Sequence, residues 1–365
     1  MKVLIVGNDT TYIYNLRDVI IQRLLETGNT VTIVSQVKMF ETELRMMGCA
    51  IRDINISRQS KNPLYDIGFY IKLSSIISEE APDAVLTFNI KPNVYAGMIC
   101  SQKHIPYISN ITGLGTAVEY PGVLQKISIH LYRIGIKNAF CVFFQNRENM
   151  SFFYNHHVLD EHTHYTILPG SGVNLERHKV LEYPSDNDAI NFLFIARVMK
   201  EKGIDQYLDA AKYIKSKYPK CNFHICGACD DKSYNSLLSF NRTVIYHGEQ
   251  KDLINYYNDA HCIIHPSYYP EGMSNVLLEA AAHARPIITT DKSGCKEIVE
   301  DGQNGYIVPM KDSIKLIEKI EQFIALDWHQ KRNMGLIGRA KIEQQFDRQF
   351  VANQYIQELM RLNRS

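Results

Sequence analysis

The chain has 365 residues, 45% of them hydrophobic and 22% charged, with 40 Lys+Arg against 39 Asp+Glu and a formal net charge of +1. That balance is ordinary for a globular protein and argues against both a disordered chain and a basic nucleic-acid binder. At roughly 100–200 residues per domain, the length predicts two domains.

The N-terminal apolar run in "MKVLIVGNDTTYIYN" is too short for a secretion signal. No stretch approaches the ~18 apolar residues of a membrane span. A cytoplasmic protein is expected, peripheral to the inner face of a cell membrane at most. Most of the eight cysteines lie in apolar runs such as "NAFCVFF" and "AHCIIHP", the setting of buried, reduced thiols.

In chain order, "KVLIVG" reads as a strand apolar on both faces, the mark of a parallel strand covered by helices. "NLRDVIIQRLLETG" follows with helical spacing and a closing glycine. The pattern repeats through strand "TVTIVS", helix "MFETELRMMG", strand "AIRDIN", helix "PLYDIGFYIKLSSIISEEAP", strand "DAVLTFN", helix "NVYAGMICSQKH" and strand "PYISNIT". A helical stretch over 121–139 precedes strand "FCVFFQ", the segment "NRENMSFFYNHH" and strand "YTILPG". The polar segment "PGSGVNLERHKVLEYPSDND" reads as an interdomain connection.

The second half restarts with strand "INFLFIAR", helix "KGIDQYLDAAKYIKSKYP" and strand "NFHICG", then a helix around "SYNSLLSF". Strand "TVIYHG", helix "QKDLINYYNDA", strand "HCIIHPS", helix "NVLLEAAAHA" and strand "PIITTD" come next. "KEIVEDGQNGYIV", helix "SIKLIEKIEQFIAL" and a final helix in "FDRQFVANQYIQELMRLN" complete the chain. The prediction is an α/β protein of two facing, doubly wound Rossmann-like domains, 1–170 and 171–345, with 346–365 returning to the first.

Ligands gather at the carboxyl ends of parallel strands. In "FIARVMKEKGID", Arg197 closes a strand and Lys202 precedes a glycine and a helix. A fork donor and a point charge there suit a diphosphate, although a solvated basic turn has the same composition. In "HPSYYPEGMSNVLLEAAAHARP", Ser274 or Asn275 is placed to cap a helix whose first amides face a phosphate. Glu279 lies one turn into that largely apolar helix, where a carboxylate needs a partner.

Together, "ARVMKEKG" and "PSYYPEGMSNVLLEA" resemble the retaining glycosyltransferases of the two-domain (GT-B) type, family 4-like, with their glutamate–seven-residue–glutamate signature at Glu271 and Glu279. "LPGSGVNLERH" and "DGQNGYIV" are similar to that family's interdomain segment and late turn. The resemblance implies Arg197 and Lys202 on the donor diphosphate and Glu271 on the transferred sugar, the three catalytic candidates. It implies backbone amides of Gly272, Met273, Ser274 and Asn275 on phosphate or sugar, and Glu279 on the ribose. Met273 stands where the family commonly has an aromatic, so only its backbone is assigned a role.

The same resemblance implies no metal and no cofactor, the UDP-sugar being a substrate. On the acceptor side, Asn8, Thr10 and Thr11 of "GNDTTYIYNLR" and Gly113, Gly115 and Thr116 of "NITGLGTAVEY" are candidates. A helix cap by Asp9, Thr10 or Thr11 is an equal reading of the first loop. "TGLG" before an aromatic-rich stretch resembles the subgroup that adds N-acetylhexosamines to lipid-linked glycans of bacterial surface polysaccharides, which implies a lipid-linked acceptor. Between 84 and 147, six basic residues face one acidic residue, and "VLQKISIHLYRIGIKNAF" has the pattern of a helix lying on an anionic membrane or of one packed on the sheet.

Asp186-Asn187-Asp188 has the D-x-D pattern of metal-dependent transferases but precedes a strand in a polar connector, so solvated linker residues are expected. The His-rich "NHHVLDEHTH" reads as a polar loop. Two alternatives remain open: a sugar-nucleotide 2-epimerase of similar architecture, and a non-catalytic sugar-nucleotide binder.

Overall fold

A computed structural model describes all residues except 56–62, 116–117, 119–120, 186–188, 240–241 and 365. The D-x-D triplet and Thr116 therefore lie outside the described residues. The chain forms two compact units. The first holds Met1–Gly172, Glu271–Met273 and Arg348–Ser365; the second holds Val173–Pro270 and Ser274–Asp347.

The first unit alternates β1 (Lys2–Asp9), α1 (Thr10–Glu26), β2 (Thr30–Gln36), α2 (Glu41–Met46), β3 (Ala50–Asp53), α3 (Pro63–Glu80), β4 (Ala84–Phe88) and α4 (Ile90–Lys103). It continues with β5 (Tyr107–Ile111), α5 (Val123–Ile136), β6 (Cys141–Phe144), α6 (Arg147–Asn155) and β7 (Tyr165–Ile167). Its sheet has the order β3-β2-β1-β4-β5-β6-β7, with every pairing parallel.

The strand period of two sorts β1 onto two cores. Val3 and Ile5 join Ile20 and Leu24 of α1 on one side, whereas Leu4 and Val6 join Phe69 and Leu73 of α3 on the other. Helices α4 and α5 touch through Gly97 and Gly135, where a Cβ on either would collide with the other helix's backbone. The Tyr107 hydroxyl donates to Gly135 O across this seam at 2.9 Å.

The second unit holds β8 (Ile190–Ile195), a 3-10 turn (Lys200–Lys202), α7 (Ile204–Lys217), β9 (Cys221–Cys226), α8 (Ser233–Ser239), β10 (Ile245–Tyr246), α9 (Ile254–Asp259) and β11 (Cys262–His265). Then come α10 (Asn275–Ala282), β12 (Ile287–Thr290), β13 (Gly305–Val308), α11 (Ser313–Ala325) and α12 (Trp328–Gln345). Strand order is β10-β9-β8-β11-β12-β13, again all parallel.

Helix α12 is absent from the sequence reading. Gly335 and Gly338 break its apparent periodicity, yet a Cβ at Gly335 would strike Ala284 O. The D-x-x-Q capping box of Asp327 and Gln330 was the legible signal. The connector after Gly172 is strapped to the second unit: buried Arg285 donates to Glu182 O at 2.6 Å, Tyr183 Oη to His261 O at 2.9 Å and Trp328 Nε1 to Pro184 O at 2.8 Å. Helix α13 (Arg348–Leu362) packs on α1 in the first unit, where buried Arg348 pairs with Asp18 at 2.6 Å and donates to Gly172 O at 3.2 Å.

Candidate functional site

The second sheet reverses direction of growth between β8 and β11, and such a switch point opens a crevice at the strands' carboxyl ends. Arg197 follows β8 and the turn 266–274 follows β11, so two separate sequence motifs arrive at one crevice. Gly227 lets the β8 and β9 exits run side by side, because a Cβ there would strike Ala196 O. Gly203 does the same beside Lys202: its φ is +77°, and a Cβ would meet Pro266 O. The 3-10 turn is tied to the β11 exit by Tyr268 N–H donating to Glu201 O at 2.9 Å.

These contacts set two cations on one ring. The Arg197 guanidinium lies 5.7 Å and the Lys202 ammonium 4.8 Å from the centroid of Tyr269. Arg197 is exposed and bonds Asp230 Oδ2 at 2.6 Å. Lys202 is half-buried; burial first, then the Arg197 charge, lowers its pKa to about 8, against an opposing pull from Cys295. Near it, buried His265 is pushed down to a pKa of about 3 by burial and then by the Lys202 charge, against an opposing hydrogen bond with the Ile195 backbone, so the imidazole is neutral.

Ser274 is the N-cap of α10 but makes no side-chain cap bond, contrary to the expected cap; its N–H donates to Gly294 O at 2.8 Å. Asn275 Oδ1 is buried with no hydrogen-bond partner among the described residues. Glu279 is half-buried and accepts from the Tyr257 hydroxyl at 3.3 Å, which supplies a partner for that carboxylate. The loop that receives Ser274 and flanks Lys202 is itself braced, with Glu297 accepting from Ser293 Oγ at 2.9 Å and Gly294 N at 2.7 Å. Met273 is buried. Glu271, Gly272 and Met273 group with the first unit, where Gly272 N–H donates to Thr112 O at 3.1 Å.

Arg197, Lys202, Ser274, Asn275 and Glu279 all belong to the second unit, and of these Arg197 and Lys202 meet at one ring. The structure adds Tyr269, Asp230 and His265, which sequence reading passed over. Tyr269 was visible as an aromatic in "PSYYPEG"; Asp230 in "CGACDDKS" carried no signal without the strand order.

In the first unit, β1 runs two residues beyond Gly7, and Asp9 caps α1 through Tyr12 N at 2.8 Å. Thr10 leaves the candidate set: it is buried, its hydroxyl donates to Met39 O at 2.7 Å and accepts from Lys38 N at 2.9 Å. Asn8 and Thr11 are half-buried, as are Gly113 and Gly115, the latter with a left-handed φ of +69°. His164 of the His-rich segment meets Cys141 and Glu358 with all ligand atoms within 4.8 Å, a composition able to hold a metal. Arg361 already fills that space, 2.8 Å from His164 Nε2 and 3.1 Å from Glu358 Oε1. The Cys226 and Cys229 thiols are both pushed up by burial, the reverse of reactive thiols.

Residues 179–341 match the family model described as Glycosyl transferases group 1, and residues 2–146 that described as Glycosyl transferase 4-like. The chain is 23% identical over 363 residues to the N,N'-diacetylbacillosaminyl-diphospho-undecaprenol alpha-1,3-N-acetylgalactosaminyltransferase of Campylobacter jejuni, covering 94% of each. It is 31% identical over 179 residues to the capsular polysaccharide biosynthesis glycosyltransferase CapM of Staphylococcus aureus, covering 48% of this chain and 45% of that one. Among solved structures, Anabaena HepE in complex with UDP and glucose superposes with a TM-score of 0.78 at 17% identity, over 99% of both chains. Sucrose-phosphate synthase from Thermosynechococcus elongatus does so with a TM-score of 0.80 at 18% identity, over 99% of both.

Proposed function

Since this chain is a glycosyltransferase of GT-B fold, we propose that it moves a sugar, an N-acetylhexosamine, from a UDP-sugar to a lipid-linked glycan in bacterial surface polysaccharide synthesis. The observation that carries the donor assignment is the pair Arg197 and Lys202 on Tyr269 at the switch point of the second sheet. Two fixed cations neutralise the charge that develops on a diphosphate as the sugar leaves. Amides at the start of α10 add donors, Glu279 accepts from the ribose hydroxyls, and Glu271 orients the transferred sugar.

The bond from the anomeric carbon to the diphosphate oxygen breaks, and one to the acceptor oxygen forms on the same face. The acceptor hydroxyl gives its proton to the departing phosphate oxygen, so the reaction is retaining and calls for no metal. The relative from Campylobacter jejuni, named for a diphospho-undecaprenol-linked acceptor, supports the lipid-linked class, and the HepE complexes with UDP support the nucleotide.

Among the described residues no helix is long and apolar enough to cross a membrane. Helix α5 offers a route to a lipid acceptor. Val123, Leu124, Ile127 and Ile134 are exposed on it, beside exposed Lys126, Arg133 and Lys137. That face suits an anionic bilayer.

A thermal-shift screen over UDP-, GDP- and dTDP-sugars tests the donor, with a rise in Tm expected for the UDP-sugar. Arg197→Ala and Lys202→Ala should each abolish transfer while the fold survives. Full activity in both variants would remove the donor site from this crevice. Turnover of donor without acceptor would favour the epimerase instead.

A further inference from the structure

Arg197 does not wait for its ligand in open solvent. It holds a carboxylate. The β8 exit carries Arg197 and then Val198; the β9 exit carries Cys229 and then Asp230. Val198 and Cys229 form a parallel bridge, Val198 N–H donates to Ala228 O at 2.7 Å, and Asp231 N–H returns to Val198 O at 3.3 Å. Gly227 has no Cβ because Ala196 O occupies that space. This zipper brings the two side chains together: Arg197 Nη1 lies 2.6 Å from Asp230 Oδ2, with side chains 48% and 38% exposed. Such exposure makes the pair weak enough to open.

Asp230 has no other ion pair among the described residues, and its carboxylate takes up the Nη1 donor of Arg197, a donor that an anionic ligand would use. We propose that Asp230 is a positioning residue that occupies Arg197 in the empty crevice, yields it to the diphosphate, and reclaims it to help expel the nucleoside diphosphate product. The inference rests on the reading that Arg197 binds the donor diphosphate.

A weak competitor of this kind raises both the dissociation constant and the release rate of the product. The contact also holds the guanidinium near the Tyr269 ring, so that arrival of the diphosphate exchanges one carboxylate for another anion without remaking the site. Lys202 has its own seat on Tyr269 and is not displaced by that exchange.

The test titrates UDP and, in parallel, GDP into wild-type protein, Asp230→Asn, Arg197→Ala and the double variant by calorimetry, followed by steady-state kinetics with the donor. Asp230→Asn should tighten nucleoside-diphosphate binding about two- to fivefold, the range of an exposed ion pair, and lower kcat and KM together. Arg197→Ala should weaken binding about tenfold or more, and adding Asp230→Asn to it should change the constant by less than about 1.5-fold. Unchanged or weaker binding in Asp230→Asn, with Arg197→Ala still impaired, overturns the role of Asp230. Wild-type affinity in Arg197→Ala, or no binding of either nucleotide to the wild type, overturns the donor reading itself.

Discussion

Lys202 meets two opposed demands. In the proposed donor site its ammonium faces a diphosphate, yet burial and the neighbouring Arg197 lower its pKa from 10.5 to about 8. Below pH 8 both folded and unfolded chains hold the proton, and the cost of burying the charge is fully present. Between pH 8 and 10.5 the unfolded chain holds a proton that the folded one has lost, so this group makes stability rise with pH across that window. Ligand affinity runs the other way. The free enzyme should bind nucleoside diphosphate more weakly above pH 8, by up to about tenfold per pH unit; calorimetry from pH 6.5 to 9.5 measures it. Lys202→Met should abolish transfer yet raise the Tm at pH 7 by about 2–4 °C, since it removes the buried charge and keeps the stem. Arg197, Lys202, Ser274, Asn275 and Glu279 could be proposed from the sequence because each sits in a contiguous motif. Asp230 and His265 could not, because their meaning comes from a neighbouring strand.

Helix α5 has one face buried in the protein and another that carries exposed apolar residues. Ile129, Tyr132, Gly135 and Ile136 face the protein, with Gly135 set against Val94 of α4. The opposite face keeps Val123 at 76% and Ile127 at 51% exposure. The wild type should float with vesicles containing phosphatidylglycerol, and less so as salt rises. V123D/I127D should bind about tenfold less while keeping its Tm, since both sites are solvated. Wild-type protein that stays behind with the unbound fraction would refute the docking face. The helical pattern of 121–139 was plain in the sequence; which of its faces is covered was not, because that is set by α4. Helix α12 is the converse case, where Gly335 and Gly338 hid the period; the seat against Ala284 O accounts for Gly335, and nothing in the structure requires a glycine at 338.

At the scale of the whole chain, the last helix belongs with the first unit, although the residues just before it belong with the second. Arg348 anchors that return: it is 2% exposed, pairs with Asp18 and donates to Asn15 O at 2.9 Å and to Gly172 O. Arg348→Ala should destabilise the first unit by about 3–5 kcal/mol, because Asp18 and two backbone carbonyls lose a buried cation. Urea denaturation followed by proteolysis of each unit measures it, and the second unit should hold its midpoint. By itself the sequence determined the β-α-β repetition, the parallel sheets and the motifs at strand ends, because these depend on local periodicity and on glycines that neighbouring residues explain. The tertiary structure alone decided the strand order that puts Arg197 and the 266–270 segment at one switch point, and the Arg197 contacts with Tyr269 and Asp230. It also decided that the Thr10 hydroxyl is spent on the 38–39 backbone. Hydrogen bonds and ion pairs between residues distant in the chain are settled by which strands lie side by side, and that order is not written in any one segment.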